Sequence, residues 1–202
     1  MTLEPVVLQG TYVRLEPLSQ HHFEDLLEVG LDPEIWRWTT ERARTPEELR
    51  AWIDRALAAR DTGAAMPFAT VALPYGKAIG GTRFATWSAT DRRVEIGWTW
   101  IGRDWQRTAV NTEAKYLMLR HAFEVLGCLR VELRTDVGNE RSRAAILRIG
   151  AKEEGVLRKH SVTASGRVRD TVYYSILDDE WPEVKAGLER KLDGANVPRT
   201  TA

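Results

Sequence analysis

The sequence predicts a single α/β domain with a mixed, twisted central sheet, and three stretches carry that expectation. Over residues 94–158 an apolar strand (VEIGWTWI) leads into a polar turn (DWQRTAVNT) and a long amphipathic helix (EAKYLMLRHAFEVLG). A second strand (LRVELRTDV), an NERS turn and a short helix follow. Two strands joined through a helix form a parallel crossover, which is right-handed in nearly all cases. Upstream, residues 68–73, 79–87 and 94–101 read as three strands joined by Tyr75-Gly76-Lys77 and Ala89-Thr90-Asp91, the pattern of an antiparallel meander. Downstream, residues 151–162 and 168–177 read as a hairpin across Ala164-Ser165-Gly166. Helices between these strands cover both faces of the sheet.

Each element has its own local reason. Residues 8–15 have strand character. Ser19 caps a short helix that runs to Gly30, with Leu26 and Leu27 on its apolar side. Asp32-Pro33-Glu34 begins a helical turn carrying Trp36 and Trp38. Thr45-Pro46-Glu47-Glu48 places threonine at the N-cap, proline at the first helical position and glutamate three after the cap. That helix runs to Arg60 with Leu49, Trp52, Ile53, Ala56 and Leu57 facing inward. After Asn111 a helix puts Ala114, Leu117, Met118, Ala122, Val125 and Leu126 on one stripe, and Gly127 ends it. Residues 142–149 form a short helix. Asp179 caps a last helix to Leu192. Residues 1–192 form one domain, and 193–202 a polar, frayed tail.

Composition excludes several function classes. The chain has 202 residues, and at this length roughly 70% of the unfolded surface is buried on folding, so no metal or disulfide is needed as a staple. The formal net charge is zero, without the basic excess of a dedicated nucleic-acid binder. The single cysteine, Cys128, allows no internal disulfide, and a reducing cytoplasm is the default setting. The start of the chain lacks a signal peptide's basic and apolar regions. No apolar run is long enough to span a membrane. His21, His22, His121 and His160 show no metal-ligand spacing, so no metal is expected. Cys128 has no basic neighbour in sequence and reads as a buried, inert thiol. No GxSxG, Walker or GxGxxG motif is present, which disfavours serine hydrolases, NTPases and Rossmann oxidoreductases.

The two strand-to-helix turns sit at one end of one sheet, where backbone N–H groups at a helix start attract phosphate. Their sequence, with TYVRLEPL near the start, VEIGWTWI, WQRTAVNTEA, HAFEVLGCLRVELRTD, NERSRAAILRIGAKEEGVLR and RDTVYYSI, resembles the GNAT superfamily of acetyl-CoA-dependent N-acetyltransferases. Within it the chain looks like the RimJ/RimL-type branch that acetylates ribosomal-protein N-termini. The resemblance runs from Gln9 to Leu192. It implies a splayed parallel pair in the sheet and acetyl-CoA as cosubstrate, with no metal.

By this resemblance Gln106, Arg107, Thr108, Ala109, Val110, Asn111 and Thr112 form the pyrophosphate turn. Ala109 and Asn111 stand where the family has two small residues. Trp98, Thr99, Trp100 and Ile101 offer the strand edge to the pantetheine arm, and Asn139 contacts that arm, although it also suits a helix cap. The reaction is direct attack of a primary amine on the thioester, which requires proton transfer at both ends. Many relatives place a tyrosine acid where this chain has Ile146. Ser142 occupies the position of a serine that reaches the sulfur, and serves as the thiolate's proton donor or as a helix-start hydroxyl. Glu95 accepts the amine's proton, binds the cationic acceptor, or is a salt-bridged strand carboxylate. Trp36, Trp38, Trp87 and Tyr173 are candidates to line the acceptor pocket, or core residues. The acceptor is a protein N-terminus or a small-molecule amine, and a homodimer through exposed tryptophans or a C-terminal swap is compatible with the chain. The rival reading is an acyl-CoA-binding module without catalysis.

Overall fold

A computed structural model describes residues 3–73, 75–193 and 195. The chain runs β1 (Leu8–Gln9), β2 (Val13–Pro17), α1 (Phe23–Gly30), α2 (Pro33–Trp36), α3 (Pro46–Asp61), β3 (Ala65–Ala72), β4 (Lys77–Ser88) and β5 (Arg93–Ile101). It continues with α4 (Ala109–Arg120), β6 (Arg130–Asp136), α5 (Glu140–Arg148), β7 (Lys152–Val162), β8 (Val168–Leu177) and α6 (Trp181–Leu192). The strands form one sheet in the order β1-β2-β3-β4-β5-β6-β8-β7, with β5–β6 its parallel pair.

The parallel pair opens along its length. Only Arg93, Val94 and Glu95 pair with Arg130, Val131 and Glu132. Beyond that point β5 stays with β4 as far as Gly80↔Ile101, and β6 stays with β8 as far as Asp136↔Thr171. Each strand keeps its outer neighbour while the two leave each other, so a slot forms inside a continuous sheet. A bulge in β5 assists the parting. The pairing steps from Arg83↔Gly97 to Gly81↔Trp100, so Trp98 and Thr99 stand opposite Thr82 alone. Trp98 has φ +50°, a left-handed conformation that a bulky residue adopts only when its surroundings hold it there.

The two sheet faces bury separate cores. Phe68, Phe84, Val94, Leu117, Met118, Val131, Tyr174 and Trp181 pack under α4 and α6. Leu18, Leu26, Leu49, Ile53 and the tryptophans Trp36, Trp52 and Trp100 pack under α1–α3. Those three rings meet with centroids 5.3–6.0 Å apart, a spacing that favours tilted and edge-to-face contact. Thr45 caps α3 by accepting from the Glu48 N–H, and Leu49, Trp52, Ile53 and Ala56 face inward.

Several elements depart from the sequence reading. Residues 8–15 form two short strands rather than one. The Glu113 carboxylate accepts from the backbone N–H groups of Thr11 (2.8 Å), Tyr12 (2.6 Å) and Val13 (2.7 Å), which folds a bend between them. Gly10 is required there, because a Cβ would lie 2.4 Å from the Glu113 carboxyl carbon. The helix expected after Asn111 starts at Ala109, since Thr108 accepts from the Val110 N–H and caps it. It ends in a π-helical turn over His121–Val125. The wider turn rotates Val125 off the inward stripe, leaving it 61% exposed.

The short helix expected at residues 142–149 starts at Glu140, with Asn139 as its cap. For α6 the cap position belongs to Glu180, not Asp179, and the Glu180 carboxylate is drawn back onto the Leu177 N–H. Of the tail expected to fray, residues 194 and 196–202 lie outside the described residues. Ala195 O and Leu192 O both accept from the Tyr12 hydroxyl.

Candidate active site

The slot between β5 and β6 opens into a cavity of about 680 Å³. Trp98, Thr99, Trp100 and Ile101 of β5 line it, as do Gln106, Arg107, Thr108 and Asn111 of the turn into α4. Asn139 and Ser142 line it from the turn into α5. Ala109, Val110 and Thr112 belong to the same turn, but they are buried and absent from the wall. Helix geometry explains the split: side chains of the first turn alternate between the core and the slot.

The first turn is built to present donors. Arg107 adopts φ +63°, which turns the chain sharply before Thr108. A helix start leaves its first N–H groups without helical partners. Thr108 Oγ1 satisfies only that of Val110, at 3.3 Å. Gln106 fixes the turn from both sides: its Nε2 donates to Ile101 O (2.9 Å), and its Oε1 accepts from Arg141 Nη1 (2.7 Å). The two turns are therefore tied together, with the Arg107 and Arg141 guanidinium groups exposed at the mouth. In the second turn Asn139 Oδ1 accepts from the Ser142 N–H at 3.1 Å. Ser142 Oγ has no hydrogen-bond partner among the described residues.

At the opposite end the wall is paired. Glu95, 3% exposed, accepts from Arg134 Nε at 2.7 Å and from Thr86 Oγ1 at 3.0 Å. Trp36 and Trp38 also line the cavity, Trp36 against Trp100 and Trp38 against Gly138 of the second turn. Tyr173 and Trp87 are not in the wall. The Tyr173 hydroxyl accepts from Arg134 Nη1 at 2.9 Å, so Tyr173 stands behind Arg134 and holds it. Trp87 packs against the core under α4.

Sequence reasoning passed over several cavity residues. Four of the buried polar atoms that lack a hydrogen bond belong to the wall: Trp100 Nε1, Asn111 Oδ1, Arg169 Nε and Thr171 Oγ1. A native protein satisfies nearly all such atoms with protein, water or an ion, so these four call for a partner the chain does not supply. Arg169 reaches only the Trp38 carbonyl, at 3.5 Å. Burial, with Arg134 and Arg167 nearby, holds its guanidinium below the usual range. Lys115 also lines the cavity, one helical turn beyond Asn111. Its Nζ donates to Thr99 Oγ1 at 2.6 Å and to Thr82 Oγ1 at 3.3 Å. Burial pushes the ammonium down to about 7. A lysine with no carboxylate at i±3 or i±4 on the core side of a helix was the available signal.

Elsewhere, burial pushes the Cys128 thiol up to about 11, as suits an inert core thiol. Among the described residues, Glu16, His21 and His22 bring ligand atoms within 4.8 Å of one another. The Arg14 guanidinium already pairs with that carboxylate. No described helix is long and apolar enough to cross a membrane.

Residues 13–152 match the family model described as Acetyltransferase (GNAT) domain. The chain is 41% identical over 91 residues to the "Putative ribosomal N-acetyltransferase YdaF" of Bacillus subtilis (strain 168), covering 45% of this chain and 49% of that protein. It spans about half the length of the curated relatives it matches. A GCN5-related N-acetyltransferase from Brucella melitensis superposes with a TM-score of 0.88 at 32% identity, over 95% of this chain and 87% of that one. Mycobacterium smegmatis RimJ, solved in complex with CoA-disulfide, superposes with a TM-score of 0.78 over 97% and 96% of the two chains. At 21% identity that likeness shows the fold alone. Together the fold, the splayed pair and the match over residues 13–152 establish that the chain belongs to the GNAT acetyltransferase family.

Proposed function

We propose that this protein is an acetyl-CoA-dependent N-acetyltransferase whose acceptor is a primary amine, foremost a protein N-terminus, working in a reducing cytoplasm. The observation that carries this reading is the slot itself. Two parallel strands part beside two helix starts, and residues of both turns line the cavity between them. The cavity falls within the 300–1,000 Å³ usual for ligand sites. The open donors of α4, with Arg107 and Arg141, suit a pyrophosphate. The free edge of β5 over Trp98–Ile101 suits an amide-bearing arm, and Asn139 and Ser142 face it across the slot. The name of the YdaF relative supports a ribosomal protein as acceptor. A small-molecule amine is the other acceptor class.

Acetyl-CoA would supply an acetyl group activated as a thioester; the chain's own residues supply position and proton movement. Glu95, at the closed end of the slot, receives the acceptor's ammonium and takes a proton from it. Ser142 Oγ offers a hydrogen bond where the sulfur leaves. Trp36 and Trp38 shape the acceptor end, with Tyr173 acting through Arg134.

The test is calorimetric titration of the purified protein with acetyl-CoA, beside Asn111→Glu, followed by a screen of peptide N-termini and small amines. Binding by the native chain, its loss in the variant and acetylation of at least one amine support the transferase. Binding without acetylation of any amine favours the rival, a coenzyme-binding module in which Arg134 and Thr86 keep Glu95 occupied. No binding at millimolar coenzyme overturns both.

A further inference from the structure

Lys115 has no part in the roles above, yet its placement is costly. It is 6% exposed and its ammonium faces hydroxyls only. The charged groups on the surrounding elements are engaged elsewhere. Glu113 of α4 is turned onto the backbone of residues 11–13, Glu95 of β5 pairs with Arg134 of β6, and Arg83 of β4 pairs with Glu41. Besides Thr82 and Thr99, whose hydroxyls lie 2.8 Å apart, the neighbouring polar atoms are the Met118 sulfur, 3.6 Å from the Thr82 hydroxyl, and the Gly97 carbonyl oxygen, 3.4 Å from the Thr82 hydroxyl and 3.5 Å from the Thr99 hydroxyl. An ammonium buried without a counter-charge is strongly disfavoured, and methionine would fill the same space without that penalty. Perturbed, unpaired groups of this kind gather at functional sites.

The position of Lys115 gives it a task. Thr99 is both its closest partner and a residue of the slot wall, on the strand edge that faces the thioester arm in the reading above. When an amine displaces a thiol, the departing thiolate needs a proton. The hydroxyls of Thr99 and Ser142 can pass a proton along but cannot supply one. The buried ammonium of Lys115, hydrogen-bonded to Thr99, can.

We propose that Lys115 is the acid of acetyl transfer, its ammonium handing a proton through the Thr99 hydroxyl to the leaving thiolate. The C–N bond forms as the C–S bond breaks. The acceptor ammonium loses two protons over the turnover. One leaves to solvent by way of Glu95, and the other recharges the neutral lysine, so the site ends as it began. An ammonium near 7 is a stronger acid than a free thiol near 8.5, so the proton moves downhill. This inference rests on the transferase reading.

The first test needs no turnover. Free CoA is bound to the native chain, to Lys115→Met and to Thr99→Val, and thiolate absorbance is followed against pH. In the native chain a fraction of the thiolate should appear near pH 7, while the ammonium is still charged. This low-pH step should vanish in Lys115→Met, whose thiol ionises in one step, and persist in Thr99→Val, which keeps the charge. Circular dichroism checks that both variants fold, and CoA affinity is measured beside it, because Thr99 belongs to the strand edge assigned to the coenzyme arm and Lys115 lines the same cavity. The second test is the pH profile of transfer. Native kcat should fall as pH rises through about 7, where the ammonium loses its proton. Lys115→Met should be slower by roughly 10²-fold and lack that fall. A thiol titration and pH profile unchanged in Lys115→Met, with acetylation intact, would overturn the role of Lys115 alone. A native chain that binds CoA but acetylates no amine overturns the transferase reading and this inference with it.

Discussion

The two strand-to-helix turns at the mouth of the slot start from the same plan and finish differently. Each follows one strand of the parallel pair, and each caps its helix with a polar side chain, Thr108 for α4 and Asn139 for α5. The first turn is long. It passes through a short 3-10 segment over Arg103–Trp105 and a left-handed Arg107, and it leaves donors of α4 open toward the cavity. The second is short and closed by protein groups. Asp136 accepts from the Gly138 N–H at 2.9 Å and pairs with Arg167, while the Trp38 ring lies against Gly138. On the reading proposed above, the open turn is the one that would take an anion, while the closed turn serves as a strut that holds Trp38. A helix start becomes a binding site when its donors are left to a ligand rather than satisfied by the chain.

The largest effect that could break this contrast comes from Asn111→Glu. Glutamate in the first turn of α4 faces the helix dipole favourably, so the free protein should gain about 0.5 kcal/mol of stability. The same carboxylate repels a pyrophosphate, and coenzyme affinity should fall by roughly 10²-fold or more. Opposite signs in thermal melting and calorimetry are the expected outcome. A variant that binds acetyl-CoA normally would mean that the first turn is not the anion site. Next in size is Gly138→Ala in the closed turn. The new Cβ would meet Trp38 Cζ3 at 2.9 Å, so the ring must move. Denaturant unfolding should show a loss of about 1–3 kcal/mol, with the acceptor KM raised and the coenzyme affinity unchanged. A neutral substitution there would show that Trp38 is not held by the second turn.

Much of this frame was legible because it depends on local chemistry. The Thr45 cap, the β5–α4–β6 crossover and the β7–β8 hairpin follow from spacing and turn residues alone. The bend at Gly10 was not legible, because its cause, the Glu113 carboxylate, lies about a hundred residues away in the chain. The exposure of Val125 depends on a π-turn that a regular 3.6-residue period does not contain. Lys115 falls on the apolar stripe of α4, one turn before Met118, and its burial there was legible only as a lysine out of place among core residues. Trp98 and Arg107 adopt left-handed conformations that no residue preference announces. Tyr173 was placed at the pocket, whereas it reaches the cavity only through Arg134, a cross-strand partner fixed by register.

The smallest effect sharpens the contrast most, because it turns on a single cap in each turn. Thr108→Ala and Asn139→Ala should each cost about 1 kcal/mol in the free protein, the usual value of a lost N-cap. Saturating CoA should separate them. In Thr108→Ala the Val110 N–H joins the open donors of α4, where a bound phosphate can take it, so part of the loss is recovered in the complex. In Asn139→Ala the freed Ser142 N–H lies in the closed turn and the amide that faces the coenzyme arm is gone, so the loss grows. Ligand binding stabilises the native state in proportion to its affinity, so melting temperatures with and without CoA read this difference directly. Equal shifts in the two variants would mean that both turns serve the ligand alike, and that the division between open and closed is a matter of shape without consequence for binding.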